Sequence, residues 1–494
     1  MYEDLIKAVN NFLEANVVEK GKKEDKYFVD FDCRVLYKGD IEKIQKYLDE
    51  NSKFHYVILS FSSSFSKSLN KATQRIYFKV FETKEEKEKF LKELEEAKKR
   101  DHRYLGEKLD IFHIEEEIIG SGLPLFHFNG AIIIDELKKL IKEVNNRLGY
   151  KEVITPHISK TFLWKLSGHY EKYKDRMFLI QEDDEEFGLK PMNCPMHLMI
   201  FKSRVRSYRD LPFRIAEFAT VYRREQSGEL HGLTRVWSIT QDDHHCVLSM
   251  EHLKDEIKRI INEIINVYKI FALDVKFNLS TRPENFIGNL EDWEFAEKTL
   301  REILEELNVK YEIKEKEGAF YGPKIDIDVK DAFNRYWQLA TIQLDFNMPK
   351  RLDITYVDKD NKEKYPIMIH FAILGSFERF VGIILEHFSG KLPLWLAPIQ
   401  VSILPLSEKY EEEAKKLFEE LTKENIRAEI LSEGTIEYRV RDAETRYIPY
   451  IIVIGKKEVE SGNLTIRYRG TLFSMNKEEF KNKIIEKIKN RERD

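Results

Sequence analysis

The chain has 494 residues, 82 Lys and Arg against 87 Asp and Glu for a net charge of −5, 42% hydrophobic residues and three cysteines, Cys33, Cys194 and Cys246. Its length suits about three domains with sizeable cores, and an odd, sparse cysteine count argues against a disulfide framework and for a reducing, cytoplasmic setting. Near-balanced charge excludes a uniformly basic nucleic-acid binder but leaves room for a basic face.

The amino terminus, MYEDLIKAVNNFLEANVVEK, carries acids and lysines through its apolar positions and reads as neither a signal peptide nor a membrane span. Residues 1–82 read as a small α+β module, with strands at Tyr27–Phe31 and Arg75–Phe81 and a helix at Asp40–Asn51. Thr83–Arg103 reads as a charged helix with Glu–Lys pairs at helical spacing, a solvated connector. Residues 104–393 form the expected core. The longest apolar run, Leu392–Leu406, is broken by Pro393, Pro398 and Pro405 and is too short for a bilayer. Over 394–494 the chain alternates strand (Val401–Leu404), helix (Glu408–Asn425), strand (Arg427–Leu431), helix (Thr435–Tyr447) and strand (Tyr450–Ile454), a compact α/β domain.

The most informative stretch is Ala219–Cys246, ATVYRREQSGELHGLTRVWSITQDDHHC. Phe218, Thr220 and Tyr222 alternate as a strand, Gln226–Gly232 reads as a loop and Leu233–Asp243 as the returning strand. Period two would put Arg223 and Glu225 on one face, opposite Tyr222 and Arg224. A forked guanidinium beside a carboxylate can grip a nucleotide at phosphate and base edge. Arg214 and Arg224 keep the default reading of surface arginines. Three separated segments, Lys190–His197, Gln241–His245 and Ile369–Phe380, each offer a residue able to bind zinc, although Cys194 on its own reads as a plain buried cysteine.

At these residues the chain resembles the threonyl-tRNA synthetases, which are class II aminoacyl-tRNA synthetases. Motif 1 of that class matches Gly149–Pro156, motif 2 the Arg-x-Glu hairpin around Arg223, and motif 3 Gly375–Phe380 with Arg379. Lys190–Pro195 (KPMNCP), Thr240–His245 (TQDDHH), Gly318–Lys324 (GAFYGPK) and Gln343–Phe346 (QLDF) are particular to the threonine enzymes. The resemblance implies an α+β fold: a class II antiparallel-sheet catalytic core flanked by helices, a C-terminal α/β anticodon-binding domain, and a small N-terminal α+β module of unassigned role. It implies ATP-dependent activation of threonine to threonyl adenylate and transfer to tRNA(Thr), by a homodimer formed through motif 1. Mg²⁺ would accompany ATP, and one Zn²⁺ per subunit would sit in the amino-acid pocket.

Residue by residue, the resemblance gives the zinc to Cys194, His245 and His370, with open positions for the amino and hydroxyl groups of threonine, so that valine is rejected. Asp243 would accept the substrate hydroxyl's hydrogen bond, and Gln241, Tyr321 and Gln343 would line the pocket. His244 and Cys246, flanking His245, turn to the opposite face by alternation. Arg223 would hold the α-phosphate, Arg235 and Arg379 the other phosphates and adenine, Glu225 the adenine amine, Gln338 the nucleotide, and Lys324 the α-phosphate or carboxylate. His169, in Ser167–Tyr170, matches a histidine implicated in proton movement at the terminal adenosine; alone it would read as a polar loop residue. Glu458 and Arg467 match anticodon readers, while Glu433 stands where relatives often have Asn. Ile239 replaces an aromatic expected against adenine, with Trp237 on the same strand face as the residue that would compensate, and Phe371 replaces an arginine.

Larger relatives carry an amino-terminal editing domain. Before Asp101 there is no HxxxH pattern of the bacterial type, and the module is short for the archaeal type. The expectation is therefore no cis-editing of seryl-tRNA and a separate protein that clears it. A non-charging paralogue that binds tRNA or messenger RNA as a regulator is the alternative that loss of the ligands or motif arginines would mark. A synthetase for proline, serine or glycine is disfavoured by Cys194, His245 and His370 occurring together.

Overall fold

Two units of the chain have their own cores, Met1–Lys99 and Arg100–Asp494, in a computed structural model that describes residues 2–23, 26–66, 71–331 and 335–493. The first unit is an antiparallel sheet in the order 16–23, 26–32, 71–81, 55–66 with helices Tyr2–Asn10 and Lys38–Asn51. Leu5, Val9, Ile44 and Leu48 from the helices meet Val29, Phe31, Tyr56 and Phe78 from the sheet in one apolar cluster. The first helix and the strands 16–23 and 55–66 were not expected. Strand 16–23, NVVEKGKK, has no buried residue, so it lacks the alternation that marks a half-buried strand. No residue of the next helix, Lys84–Arg100, is buried, as a solvated helix requires. It stops at Arg100 rather than Arg103. The Asp101 carboxylate accepts the Arg103 amide at 2.8 Å and caps a new helix, α1 (His102–Lys108).

The second unit is built on an eight-stranded sheet: β1 (Lys151–Glu152), β2 (Phe213–Tyr222), β3 (Ser238–Leu248), β4 (Val275–Ser280), β5 (Tyr311–Lys314), β6 (Lys324–Lys330), β7 (Tyr336–Asp345) and β8 (Ile367–Ser376), in the spatial order β5-β4-β6-β7-β8-β3-β2-β1. Only the outer pairs, β1 with β2 and β4 with β5, are parallel; the rest is antiparallel, as expected of the class II core. Helices α2 (Phe128–Leu148), α4 (Leu253–Ile270), α5 (Leu290–Glu306) and α6 (Phe377–His387) bring apolar stripes such as Ile133, Leu137 and Ile141, or Ile257, Ile261 and Ile264, into one cluster with Cys246, Ile325, Leu344 and Phe371. Those four strand residues therefore mark the helix-covered face. A further helix, α3 (Cys194–Lys202), packs separately with Val247, Met348 and Met368.

The C-terminal domain is a five-stranded sheet ordered 428–430, 401–405, 450–454, 463–468, 471–476, the first three strands parallel. The expected alternation is present with shortened helices, Glu411–Lys423 and Ile436–Thr445. A hairpin over 463–476 and a last helix, Lys477–Lys489, complete it beyond the expected elements. Arg427 and Arg491 tie this domain to α2 through Glu136 at 2.9 Å and Glu143 at 2.6 Å. Among the described residues no helix is long and apolar enough to cross a membrane.

Candidate active site

Sheet register assembles the site. His245 on β3 lies opposite His370 on β8, which lies opposite Gln343 on β7, which lies opposite Lys324 on β6. Directly paired residues share a face, and this row lies on the face away from α2 and α4. The adjacent row, Cys246, Ile369 and Leu344, turns to the helices, as does His244, whose ring stacks on Phe371 at 4.4 Å and whose Nε2 meets Asn145 Oδ1 at 2.7 Å. The position where the resemblance has an arginine is thus core packing in this chain.

Cys194 enters from the first turn of α3, and its Sγ lies with nitrogens of His245 and His370 inside a 4.8 Å cluster. The surrounding hydrogen bonds decide which nitrogens carry protons. Burial alone would raise the Glu217 pKa, but hydrogen bonds from His197 and the Thr155 amide, with the Lys190 charge, hold it below the ordinary value. Ionised Glu217 accepts from His197 Nε2 at 2.9 Å, so His197 Nδ1 accepts from His245 Nδ1 at 2.7 Å. His370 Nε2 similarly faces Asp345 Oδ2 at 3.2 Å. Both distal nitrogens then bear the protons, and unprotonated His245 Nε2 and His370 Nδ1 face each other at 3.0 Å. Two lone pairs so close are repulsive unless a cation lies between them. With a thiol beside them the donor set suits zinc, and the carboxylate–histidine partners are those expected behind metal ligands.

His197 and Glu217 were missed by sequence reasoning, as were Lys190, whose Nζ donates to Thr155 Oγ1 at 2.9 Å, and Thr155, whose amide donates to Glu217 at 2.7 Å. His197 stands three residues after Cys194, one helical turn on, which is the signal that would have found it. Thr155 lies in the segment matching motif 1, so a buried polar chain joins that segment to the candidate ligand His245.

A cavity of about 90 Å³ opens at the triad and is lined by Cys194, His245 and His370 together with Arg223, Gln241, Asp243, Tyr321 and Gln343. Asn193 Nδ2 donates to Asp243 Oδ2 at 2.7 Å. Tyr321 donates to Gln343 Oε1, and its ring stacks on His370 at 5.1 Å. Asn193 Oδ1, in the same wall, is buried without a partner. Of four larger cavities, those of about 270 and 250 Å³ lie where the C-terminal domain meets the core and on that domain, one of about 450 Å³ lies in the first unit, and one of about 210 Å³ lies beside Arg103 and His231; none is at the triad.

The Arg-x-Glu segment differs from its expected strand geometry. β2 ends at Tyr222, and β3 begins only at Ser238. Arg223 makes the last rung, its amide donating to Trp237 O at 3.0 Å, and then Arg224 donates to Arg176 O at 2.8 Å. The ladder ends there, and the Arg223 and Glu225 side chains both stay within Coulombic reach of Arg379. Arg223 lines the cavity with its Nε on Pro191 O at 3.2 Å, while the buried Glu225 carboxylate receives Arg176 at 3.1 Å. Arg379, at the start of α6, donates through Nε to Thr234 O at 2.9 Å and through Nη1 to Gln338 O at 3.2 Å. Burial lowers its pKa, Arg235 and Arg223 lower it further, and Glu225 opposes them. Three guanidiniums within Coulombic reach form an anion-attracting corner. Gly375, just before α6, has φ +75°, and a Cβ there would stand 2.5 Å from Leu339 O. Only glycine allows this approach of motif 3 to β7.

Residues 172–388 match the tRNA synthetase class II core domain (G, H, P, S and T), and residues 400–490 match an anticodon binding domain. The threonine–tRNA ligase catalytic subunit of Metallosphaera sedula is 45% identical over 454 residues, covering 91% of this chain and 84% of its own. That of Sulfurisphaera tokodaii is 49% identical over 418 residues, 83% and 77% of the two chains. The chain belongs to the threonyl-tRNA synthetase family. A solved structure of the RNA binding domain of threonyl-tRNA synthetase from Cryptosporidium parvum superposes with a TM-score of 0.75 at 37% identity, over 78% of this chain and 97% of that one. For a putative threonyl-tRNA synthetase from Aeropyrum pernix the TM-score is 0.68 at 30% identity, covering 79% and 97%.

Other residues of this synthetase stand apart from the cavity wall or are already engaged. His169 is fully buried rather than a polar loop residue, with Nδ1 2.8 Å from Ser167 Oγ and Nε2 3.8 Å from Cys194 Sγ. Burial, with His370 and Arg223 nearby, pushes its pKa down to about 3, so its ring is neutral at pH 7. Lys324 is ion-paired with Asp326, which also accepts from Gln338 Nε2 at 2.5 Å. Arg235 is half exposed, with Glu229 at 3.7 Å. Trp237 immediately precedes β3, and its Nε1 donates to Glu225 O at 2.8 Å. Arg214, expected at the surface, grips buried Glu256 at 2.8 and 2.7 Å, whereas Arg224 is exposed. In the anticodon-binding domain Arg467 pairs with Glu444 at 2.9 Å, and Glu458 caps its own helix through the Gly455 amide at 3.0 Å.

Proposed function

We propose that this class II synthetase joins threonine to tRNA(Thr) through a threonyl adenylate, with zinc held by Cys194, His245 and His370. The facing lone pairs of His245 and His370 at 3.0 Å, beside a buried thiol and on a cavity wall that also carries Arg223, are the observation that carries the reading. Zinc supplies Lewis-acid positions for the amino and hydroxyl groups of the amino acid. Asp243, oriented by Asn193, accepts the hydroxyl's hydrogen bond, and Gln343, oriented by Tyr321, closes the pocket with Gln241. Arg223 holds the α-phosphate in line with the threonine carboxylate; Arg235 and Arg379 neutralise the other phosphates together with the Mg²⁺ that accompanies ATP. A carboxylate oxygen then attacks the α-phosphorus and pyrophosphate leaves. In the second step a terminal ribose hydroxyl of tRNA attacks the acyl carbon and AMP leaves, with neutral His169 as a hydrogen-bonding partner. Gln338, Glu225 and Lys324 complete the nucleotide site once their present partners are exchanged, and Arg467 and Glu458 read the anticodon.

The working form is a homodimer through motif 1. Ile154, 95% exposed and next to Thr155, supports an apolar interface there. Correction of seryl-tRNA falls to a separate protein, a division that the relatives' name of catalytic subunit supports. The test is pyrophosphate exchange with ATP and each amino acid in turn. Exchange strong with threonine, weaker with serine and absent with valine is expected. Exchange with proline or glycine alone, or with no amino acid, would overturn the reading.

A further inference from the structure

His102 lies in the segment Asp101-His102-Arg103-Tyr104-Leu105-Gly106, and no step above uses it. It is completely buried and far from the metal ligands in sequence. With Asp101 and Glu386 it could be taken for a second cation site. Its hydrogen bonds exclude that. The Leu233 amide donates to His102 Nε2 at 3.1 Å, which makes Nε2 the acceptor and leaves the ring proton on Nδ1. Nδ1 meets Glu386 Oε1 at 2.7 Å, and the His102 amide reaches the same oxygen at 3.3 Å. Neither ring nitrogen has a lone pair left for a metal.

These bonds join two parts of the nucleotide grip. Glu386 lies on α6, the helix whose first turn carries Arg379; its other oxygen accepts from Arg335 at 2.9 Å. Leu233 lies in a tight turn in which the Thr234 amide donates to His231 O at 2.9 Å and the Arg235 amide at 3.3 Å. Thr234 O is the acceptor for Arg379 Nε, and Arg235 is the next residue. Gly232, at φ +49°, is required by the same contact, since a Cβ there would stand 2.2 Å from His102 Nε2. On α6, a Cβ added at Gly382 would meet the His102 ring at ordinary contact distance, 3.4 Å from Cδ2.

We infer that His102 is a positioning residue for ATP: its imidazole pins the motif 2 turn to the motif 3 helix, setting Arg235 and the Thr234 carbonyl in register with Arg379. The inference rests on Arg235 and Arg379 being the phosphate grip. Glutamine and asparagine separate the two ring nitrogens, because Gln Oε1 reaches the place of Nε2 and can accept from Leu233, whereas Asn reaches only the place of Nδ1. In ATP–pyrophosphate exchange, His102→Asn should raise KM for ATP on the order of tenfold to a hundredfold, the ratio that an unsatisfied buried amide implies. KM for threonine should stay within about twofold and His102→Gln within about threefold of the parent. Gly232→Ala, which presses on the same contact, should reproduce the Asn result, with melting temperatures of all variants followed alongside. If Asn and Gln variants behave alike, or KM for threonine rises as much as KM for ATP, His102 is only structural and the inference falls. A parent protein inactive with ATP and threonine would overturn both this and the functional reading.

Discussion

His197→Leu isolates what the polar chain behind the metal site contributes. The substitution removes two buried hydrogen bonds, to Glu217 Oε2 at 2.9 Å and to His245 Nδ1 at 2.7 Å. Glu217 keeps the Thr155 amide at 2.7 Å and the Thr155 hydroxyl at 3.0 Å, so most of its satisfaction survives. The loss falls on His245. Its buried Nδ1–H has no acceptor, a cost of about 1–3 kcal/mol, and the tautomer that aims Nε2 at the metal is no longer imposed. The expected drop in zinc affinity is roughly 10- to 100-fold, the range for partners of metal-bound histidines, and that corresponds to about 1.4–2.8 kcal/mol. The two routes to the magnitude agree. Competition of the protein against a chromophoric chelator at fixed pH measures it, with His197→Asn as the companion, because Asn Oδ1 can take the place of Nδ1 and should recover much of the affinity. Unaltered affinity in His197→Leu would refute the chain of reasoning from Glu217 to His245.

Cys194→Ser should abolish both zinc retention and threonine-dependent exchange while circular dichroism stays unchanged; normal threonine activation by metal-free protein would reject the ligand assignment. Arg223→Ala should lower the rate of adenylate formation about 10²- to 10³-fold, by analogy with the loss of one transition-state donor, and leave tRNA affinity nearly unaltered; equal loss of both in single-turnover and filter-binding assays would indicate misfolding instead. Arg467→Ala should weaken tRNA charging and spare exchange, and the reverse pattern would remove it from anticodon reading. Serine, lacking one methyl of threonine, is disfavoured by only about 1–3 kcal/mol, so seryl-tRNA(Thr) should form and persist; rapid release of serine from preformed seryl-tRNA by the protein alone would make residues 1–82 an editing module.

The parts of this protein legible in its sequence are those with local rules. Strand Tyr450–Ile454 is a continuous apolar run and was located to the residue. Alternation around His245 separated the metal-site face from the helix-packed Cys246 and His244 without any knowledge of the fold. Past Arg223 the ladder gives way to a contact with Arg176 that sequence does not reveal. The solvated strand 16–23 was invisible because it pairs on one edge and buries nothing. Nor does any local pattern announce that Glu217, a lone acid within β2, is paired with Lys190 and His197. Long-range polar pairs are set by tertiary packing, and they are what fixes the tautomers of His197 and His245.

The most direct test of the account is to replace the metal with Co²⁺ and follow its visible absorption as amino acids are added. Threonine and serine should both change the ligand-field bands, because each offers an amino group and a hydroxyl to the open positions, and valine should not, having only one of the two. A spectrum indifferent to threonine, or one that valine alters as threonine does, would contradict recognition of the amino acid at Cys194, His245 and His370.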